Sequence, residues 1–233
     1  MNVLECKNIT KCYKKNVPVL LNFNLEIPAG RIVGLLGPNG CGKSTLIKII
    51  AGILQPNSGE ILIDGKNVSE ETCALISYLP ERTYFDSSMK VFELLDYFED
   101  FYKDFDKSRA NALLKALNIS LDAKLKTLSK GTKEKVQLIL VMSRQAKLYL
   151  LDEPIAGVDP AAREYILSTI VSNYNPEASI IITTHLISDV EQVLDDFVFL
   201  SFGGQILRFG NAEEARNESG KSLDELFKEV FRC

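Results

Sequence analysis

The alternation of hydrophobic and polar residues in the first third of the chain predicts strands separated by turns. The β-rich runs in this part are Val3–Ile9, Val19–Ile27, residues 31–36, Gly59–Gly65 and a run that ends near Leu79. After the third run the period changes, because aliphatic residues recur every three or four positions from Lys43 to Leu54. We therefore expect a helix over Lys43–Leu54, with Ile53 on its buried face.

From Glu81 to Ala146 the strand signal almost disappears, and the spacing of apolar residues is helical. The predicted helices here are Val91–Tyr102, Lys107–Leu117 and Gly131–Ala146. The chain has 12 Phe and 8 Tyr residues, and eight of these aromatic residues lie between positions 84 and 105. Leu94, Phe98 and Phe101 fall on one helical face, so we expect most of these rings to form the core of a helical lobe. An exposed aromatic groove is the alternative that stays open.

Strand and helix patterns alternate again from Lys147 onward. Two continuous apolar runs, Leu148–Leu151 and Ser179–Thr184, are typical of parallel strands that are buried on both faces of a sheet. The other predicted elements are helices over Pro160–Ser172 and Ile187–Leu194, a hairpin that joins Phe197–Ser201 to Gln205–Phe209, and two short polar helices at the end. The whole pattern predicts a sheet-based core with a helical lobe inserted between its halves.

A glycine-rich segment lies between the third predicted strand and the first predicted helix. Its sequence, GPNGCGKST, matches the pattern G-x-x-x-x-G-K-[ST] in the strand–turn–helix context that the pattern requires. Backbone N–H groups in such a loop surround a polyphosphate, and the positive end of the helix dipole adds to the attraction. Lys43 would reach the β- and γ-phosphates, and the Ser44 hydroxyl would hold Mg²⁺. The predicted nucleotide-binding residues are Gly37, Pro38, Asn39, Gly40, Cys41, Gly42, Lys43, Ser44 and Thr45.

Two carboxylates and the chain's only histidine stand at the ends of later predicted strands. Asp152 and Glu153 end the run LYLLDE, where Asp152 suits Mg²⁺ and Glu153 is placed to act as general base for an attacking water. His185 follows the run IIITT, at the edge where open parallel sheets bind ligands, and would hold the γ-phosphate and the water. With Lys43, these residues predict a site that hydrolyses a nucleoside triphosphate.

Composition argues against some classes of partner and indicates a cellular compartment. The chain has 233 residues, is 46% hydrophobic and 25% charged, and has a formal net charge of −4, which argues against a nucleic-acid coat or a polybasic membrane anchor. Its apolar runs are far too short to span a bilayer, and its first ten residues lack the pattern of a signal peptide. The five cysteines are scattered. We expect a cytoplasmic protein without a nucleic-acid partner.

The spacing of these motifs resembles that of the ATP-binding cassette (ABC) ATPases over essentially the whole chain. The segment LSKGT stands at the place of the family's signature LSGGQ, and the resemblance implies that Ser129 and Gly131 bind the γ-phosphate of a nucleotide held by a partner subunit. Lys130 and Thr132 depart from the family's glycine and glutamine. Tyr13 matches the aromatic residue that stacks on adenine.

Two further segments are read from the same resemblance. Residues 156–159, AGVD, resemble the D-loop, which touches the partner's site across the dimer interface. After Tyr78-Leu-Pro the family usually has a glutamine that contacts Mg²⁺ and water, whereas this chain has Glu81. A carboxylate binds metal more strongly than an amide does and adds negative charge near the γ-phosphate. Glu81 is therefore a predicted Mg²⁺ ligand, together with Ser44 and Asp152.

The resemblance also implies a fold. It is an α/β fold of the P-loop NTPase class, with a mainly parallel core sheet, an N-terminal antiparallel β subdomain and an inserted helical subdomain. The chain would form one ABC ATPase domain over residues 1–233. Residues 1–80 and 147–233 would make up its ATP-binding core lobe, and residues 81–146 its helical lobe with the signature segment.

The activity that the resemblance implies is Mg²⁺-dependent ATP hydrolysis, with Lys43, Glu153 and His185 as the catalytic groups. Two cassettes, identical or different, would close around two ATP molecules and drive transport through a separate integral membrane permease. The chain would lie at the inner face of the cell membrane and dock through the helical surface around residues 84–105. The alternative is a soluble cassette ATPase that acts on a non-membrane partner, such as an iron–sulfur assembly scaffold.

Overall fold

The computed structural model describes residues 1–14, 17–156, 160–173, 175 and 177–231 of the chain. The strands are β1 (Asn2–Lys14), β2 (Val17–Pro28), β3 (Ile32–Leu36), β4 (Ser58–Ile63), β5 (Lys66–Asn67), β6 (Ile76–Leu79), β7 (Leu148–Asp152), β8 (Ser179–Thr184), β9 (Asp196–Leu200) and β10 (Ile206–Asn211). The helices are α1 (Lys43–Ile50), α2 (Glu70–Cys73), α3 (Val91–Phe101), α4 (Lys107–Ala116), α5 (Lys130–Met142), α6 (Pro160–Asn173), α7 (Ile187–Val190), α8 (Ala212–Ser219) and α9 (Leu223–Val230).

The larger sheet has the strand order β10-β9-β3-β8-β7-β6 and is parallel except at the pair β9–β10. Every residue of β3, β7 and β8 is buried, because the sheet is covered on both faces. This explains the continuous apolar runs in the sequence and confirms the predicted parallel sheet and terminal hairpin. The carboxyl ends of β3, β6, β7 and β8 lie at one edge, which is where the site is built.

The smaller sheet confirms the predicted N-terminal antiparallel β subdomain. Its strand order is β2-β1-β4-β5, and each neighbouring pair is antiparallel. Leu4 and Phe23 of this sheet belong to one hydrophobic cluster with Leu46 of α1, and the same cluster includes Val33 and Ile181 of the larger sheet. The helix that follows the glycine-rich loop is therefore held between the two sheets.

The helices between β6 and β7 form a hydrophobic cluster of their own. Phe98 of α3 and Leu114 of α4 are buried in it, together with Ile139 of α5. The other face of α5 packs through Leu138 and Met142 onto the larger sheet. Helix α5 is therefore shared by the helical lobe and the sheet.

The carboxyl ends of three predicted helices are wrong, and so is the predicted burial of Ile53. Helix α1 ends at Ile50, not at Leu54, and Ile53 is 62% exposed. The reason is that Gly52 takes a φ of 72° and the amides of Ile53 and Leu54 both turn back to the carbonyl of Lys48. The helix predicted to Ala146 ends at Met142, and the one predicted to Leu194 ends at Val190.

The predicted buried face of α3 is also wrong at its last position. Leu94 and Phe98 are buried, but Phe101 is 67% exposed. Helix α3 ends at Phe101, and Tyr102 continues in an extended conformation that brings its ring to within 5.3 Å of the Phe98 ring centroid. Tyr102 therefore takes the inward place that the periodicity assigned to Phe101.

Within the described ranges, each helix is either too short or too polar to traverse a lipid bilayer.

Candidate functional site

The glycine-rich loop leaves β3 and enters α1 by a path that only small residues permit. A Cβ atom on Gly37 would lie 2.3 Å from the Leu200 carbonyl oxygen and 2.7 Å from the Cys41 sulfur. Gly42, directly before α1, has a φ of 111°, in the left-handed region that favours glycine. The loop is thus pressed against β9 at one end and turned sharply into the helix at the other, as a phosphate-binding loop requires.

Lys43 lies beneath this loop with its charge almost enclosed. Its side chain is 6% exposed, and its Nζ donates to the carbonyl oxygens of Gly37 at 2.7 Å and Pro38 at 3.3 Å. The same Nζ lies 3.8 Å from Oε1 of Glu153, whose side chain is 10% exposed. The lysine of the loop and the carboxylate after β7 therefore form one buried ion pair, although 110 positions separate them in the sequence.

Asp152 is joined to both neighbouring elements by hydroxyl groups. Ser44 Oγ donates to its Oδ1 at 2.9 Å, and Thr183 Oγ1 donates to the same atom at 2.6 Å. Thr183 also accepts a hydrogen bond from the Glu153 amide at 3.0 Å. Since Asp152 is 1% exposed, these bonds fix its orientation.

Thr183 is the residue at this site that reasoning from the sequence missed. It is buried in β8, where its hydroxyl bonds to the Asp152 carboxylate and to the backbone amide of Glu153. The signal in the sequence is the pair of threonines that follows three isoleucines in a buried strand, since a buried hydroxyl requires a hydrogen-bonding partner.

Glu153 has the backbone conformation of a strained position. Its φ is 51°, a region that non-glycine residues seldom adopt and that costs on the order of 1–3 kcal/mol. His185, at the end of β8, places Nδ1 at 3.2 Å and 3.1 Å from the two carboxylate oxygens of Glu153. A carboxylate only accepts hydrogen bonds, so Nδ1 is the protonated nitrogen of the ring in this pair. His185 and Lys43 thus hold the Glu153 carboxylate from two sides.

These groups face a cleft of about 440 Å³. It is lined by Tyr13, Val19, Asn39, Gly40, Gly42, Lys43, Ser44, Thr45, Glu81, Glu153, Ala156 and His185. Tyr13 is 60% exposed at the rim, and its hydroxyl lies 3.3 Å from Thr45 Oγ1. The cleft therefore runs from an exposed aromatic ring, past the glycine-rich loop, to the carboxylates of Glu81 and Glu153.

Burial governs two titratable groups beside the cleft. It raises the pKa of the Cys41 thiol, which is 0% exposed, so Cys41 is a neutral packing residue of the loop. Burial also raises the pKa of the Tyr78 phenol, and the charges of Asp152 and Glu81 act in the same direction. Glu81 itself is exposed and lies at the mouth of the cleft.

The structure does not bring the signature segment into this cleft. Ser129 is the N-cap of α5, where its Oγ accepts from the Thr132 amide at 3.2 Å, and its side chain is exposed. Neither Ser129 nor Gly131 is among the described residues that line the cleft. Of the predicted D-loop, residues 157–159 lie outside the described residues.

Comparison with known proteins identifies relatives over the full length of the chain. The family model described as ABC transporter matches residues 20–156. The chain is 31% identical to the ABC-type transporter ATP-binding protein EcsA of Bacillus subtilis, over 100% of this chain and 98% of that protein. It is also 31% identical to the lipopolysaccharide export system ATP-binding protein LptB of Haemophilus influenzae, over 99% and 97% of the two chains. A solved structure of an ATP-binding subunit of an ABC transporter superimposes with a TM-score of 0.88 at 29% identity, covering 99% of this chain and 100% of the other.

Proposed function

Since the chain belongs to the ABC transporter family, we propose how its cleft hydrolyses ATP and why that cleft is half of a working site. The chain is an ATP-binding and ATP-hydrolysing subunit of an ABC transporter. One observation carries the chemical part of the proposal: Lys43, Glu153 and His185 meet at one edge of the larger sheet, next to the phosphate-binding loop.

In the proposed reaction a water molecule attacks the γ-phosphorus of ATP and Glu153 accepts its proton. The bond from the γ-phosphorus to the β–γ bridging oxygen breaks, and its electron pair leaves with ADP. Lys43 stabilises the charge on the transferred group, as a fixed cation does at a developing negative charge. His185 keeps the Glu153 carboxylate turned toward the cleft through its Nδ1–H. Tyr13 stacks on the adenine ring.

The oxygen donors beside the loop fit Mg²⁺. Ser44 and Asp152 are joined at 2.9 Å, and Glu81 faces the same cleft. Hydroxyl and carboxylate oxygens are the ligands that this hard cation prefers. In the proposal these three residues hold the metal, which neutralises charge on the β- and γ-phosphates when bound.

Glu81→Gln tests this metal site. Without metal, the Glu81 carboxylate repels the γ-phosphate, so the wild-type chain depends more strongly on Mg²⁺ than the variant does. Since Glu81 is exposed, we expect the ratio of ATP affinity with Mg²⁺ to that in EDTA to fall by about two- to fivefold in the variant. Binding of a fluorescent ATP analogue and ATPase titrations with Mg²⁺ measure it. Glu70→Gln, at an exposed position on α2, is the matched control. Identical Mg²⁺ curves for wild type and Glu81→Gln would contradict the role of Glu81.

The exposed start of α5 supports the second half of the proposal. Ser129 presents a helix N-terminus without an acidic residue in its first turn, which is suited to an anion, yet it does not face the chain's own cleft. We therefore propose a head-to-tail pair of cassettes, in which Ser129 and Gly131 of one subunit complete the cleft of the other. Two ATP molecules would then lie between the two subunits.

The separate hydrophobic clusters support a division of the chain into two lobes. We propose that residues 1–80 and 147–233 form the ATP-binding core lobe and that residues 81–146 form the helical lobe, whose hydrophobic cluster is separate. Tyr84, Tyr97 and Phe101 are 58%, 42% and 67% exposed on this lobe. The rings of Tyr97 and Phe101 lie 4.4 Å apart and form one apolar surface.

This aromatic surface is the proposed dock for an integral membrane permease, at the inner face of the cell membrane. The test is the share of affinity-tagged chain that remains with washed membranes of its host cells. We expect the double variant Tyr97→Ser/Phe101→Ser to move into the supernatant, because burial of these rings would supply much of the binding energy. The control is Phe202→Ser/Phe209→Ser, which removes two aromatic residues that are 65% and 54% exposed elsewhere. Equal membrane shares for the two double variants would contradict this docking surface.

A further inference from the structure

Arg144 is a buried cation that lies two residues after the end of α5 and outside the nucleotide cleft. It is 3% exposed. Its Nε and Nη2 pair with the two carboxylate oxygens of Asp104 at 3.0 Å and 3.1 Å, and its guanidinium lies 3.9 Å from the Tyr102 ring centroid. On its other side it donates to the carbonyl oxygen of Ala74 at 2.6 Å and to that of Ile76. One side chain therefore joins the turn between α3 and α4 to the start of β6.

The main chain around Arg144 strengthens the same junction. The Asp106 amide donates to the Ser143 carbonyl at 2.7 Å, and the Gln145 amide donates to the Asp104 carbonyl at 3.0 Å. The buried hydroxyl of Tyr149, in β7, donates to the Arg144 carbonyl at 2.5 Å. Strands β6 and β7 both start at this junction, and they lead to Glu81 and to Asp152 at the opposite edge of the sheet.

The geometry of α5 explains why this junction matters at the other end of the helix. The helix has 13 residues, which corresponds to a length of about 20 Å. Over that length, a tilt of about 5° about the Arg144 end displaces the Ser129 end by nearly 2 Å. A misplacement of about 1 Å at a reacting group costs on the order of 100-fold in rate.

We propose that Arg144 is a positioning residue for ATP hydrolysis. By fixing the end of α5 to β6, β7 and the α3–α4 turn, it sets where Ser129 meets the nucleotide of the partner cassette. This role rests on the proposed function, since it requires that Ser129 act across the pair. Lysine does not replace it, because the planar fork of arginine serves a carboxylate and two carbonyl oxygens together.

Arg144→Lys and Asp104→Asn test the role. We expect each to lower kcat at saturating ATP by about tenfold or more, whereas ATP affinity of the dilute chain stays within about twofold. The affinity holds because the binding cleft is built from other residues. Amide exchange at Asp106 and Gln145 should become faster in both variants. Because Asp104 is 28% exposed, Asp104→Asn decides the question if Arg144→Lys does not fold.

The matched control is Leu114→Ala, which weakens the packing of the helical lobe at a residue that is not one of the partners of Arg144 given above. At temperatures where circular dichroism shows it folded, its kcat should stay within about twofold of wild type. A folded Arg144→Lys or Asp104→Asn with wild-type kcat overturns the role, and so does an equal loss of kcat in Leu114→Ala. Wild-type activity in Ser129→Ala would instead contradict the proposed function, so the two failures are distinguishable.

Discussion

Glu153→Gln is expected to lower ATP turnover by about 10²- to 10⁴-fold, the range for loss of a general base. The amide has no basic oxygen to accept the proton of the attacking water. It keeps the size of the side chain and can still bond to His185, so the geometry of the cleft should survive. The loss is therefore one of chemistry and not of folding.

The same substitution should strengthen the binding of ATP. In the structure the Glu153 carboxylate lies 3.8 Å from the Lys43 ammonium, and both side chains are nearly buried. A γ-phosphate must share that cation with the carboxylate, and a neutral glutamine removes the competitor. We expect Glu153→Gln to accumulate as an ATP-bound dimer.

Size-exclusion chromatography with light scattering, in the presence of ATP, measures this outcome. Glu177→Gln is the matched control, because Glu177 is exposed just before β8, at the amino end of the sheet. It should turn over ATP at the wild-type rate. A Glu153→Gln chain that remains monomeric with ATP contradicts a sandwich of two identical chains. Full turnover in Glu153→Gln contradicts its role as the base.

A mixture of two inactive variants is expected to recover activity. Lys43→Met removes the ammonium that binds phosphate, and Ser129→Arg places a bulky side chain at the start of α5. Each alone should lose at least about 100-fold in kcat, because charged groups and positioning at phosphoryl transfer account for most of the catalysis. In a mixed pair, however, one composite site keeps Lys43 from one chain and Ser129 from the other.

The size of the recovery distinguishes a site that is shared between two chains from a site that is formed within one chain. In an equal mixture half of the pairs are mixed and each has one intact site, so about a quarter of the wild-type rate should return for a symmetric head-to-tail pair. If Ser129 served the cleft of its own chain, the mixture would remain inactive. Lys48→Met is the control for the lysine substitution, since Lys48 is an exposed residue of the same helix. It should be active on its own.

Much of the fold could be predicted because its signals are local. The continuous aliphatic runs mark β7 and β8 as strands buried on both faces, and the motif GPNGCGKST identifies the loop between β3 and α1. Helix ends were less predictable. The end of α1 depends on the backbone of Gly52, and the exposure of Phe101 depends on where Tyr102 turns after α3. Apolar periodicity does not record either event, since it reports side-chain spacing alone.

The site residues also divide into those that local sequence patterns predict and those that they do not. Lys43, Asp152, Glu153 and His185 were predicted as site residues, because each stands at the end of a strand or in a recognisable loop. Thr183 was missed, because a threonine in a strand is ordinary until its hydroxyl is seen bonded to the Asp152 carboxylate and the Glu153 amide. Arg144 was missed for a similar reason, since its partners lie about 40 and 70 positions away in the chain.

Local sequence patterns were enough to predict which strands are buried, which loop would surround phosphate, and which residues would take part in phosphoryl transfer. Backbone propensity, periodicity and short motifs are properties of neighbouring residues, so they can be read without a structure. The contacts of Lys43 with Glu153, of Thr183 with Asp152, and of Arg144 with β6 and β7 became visible in the three-dimensional fold. Those contacts come from the order of strands in the sheet, which brings distant segments together through packing that no local pattern encodes.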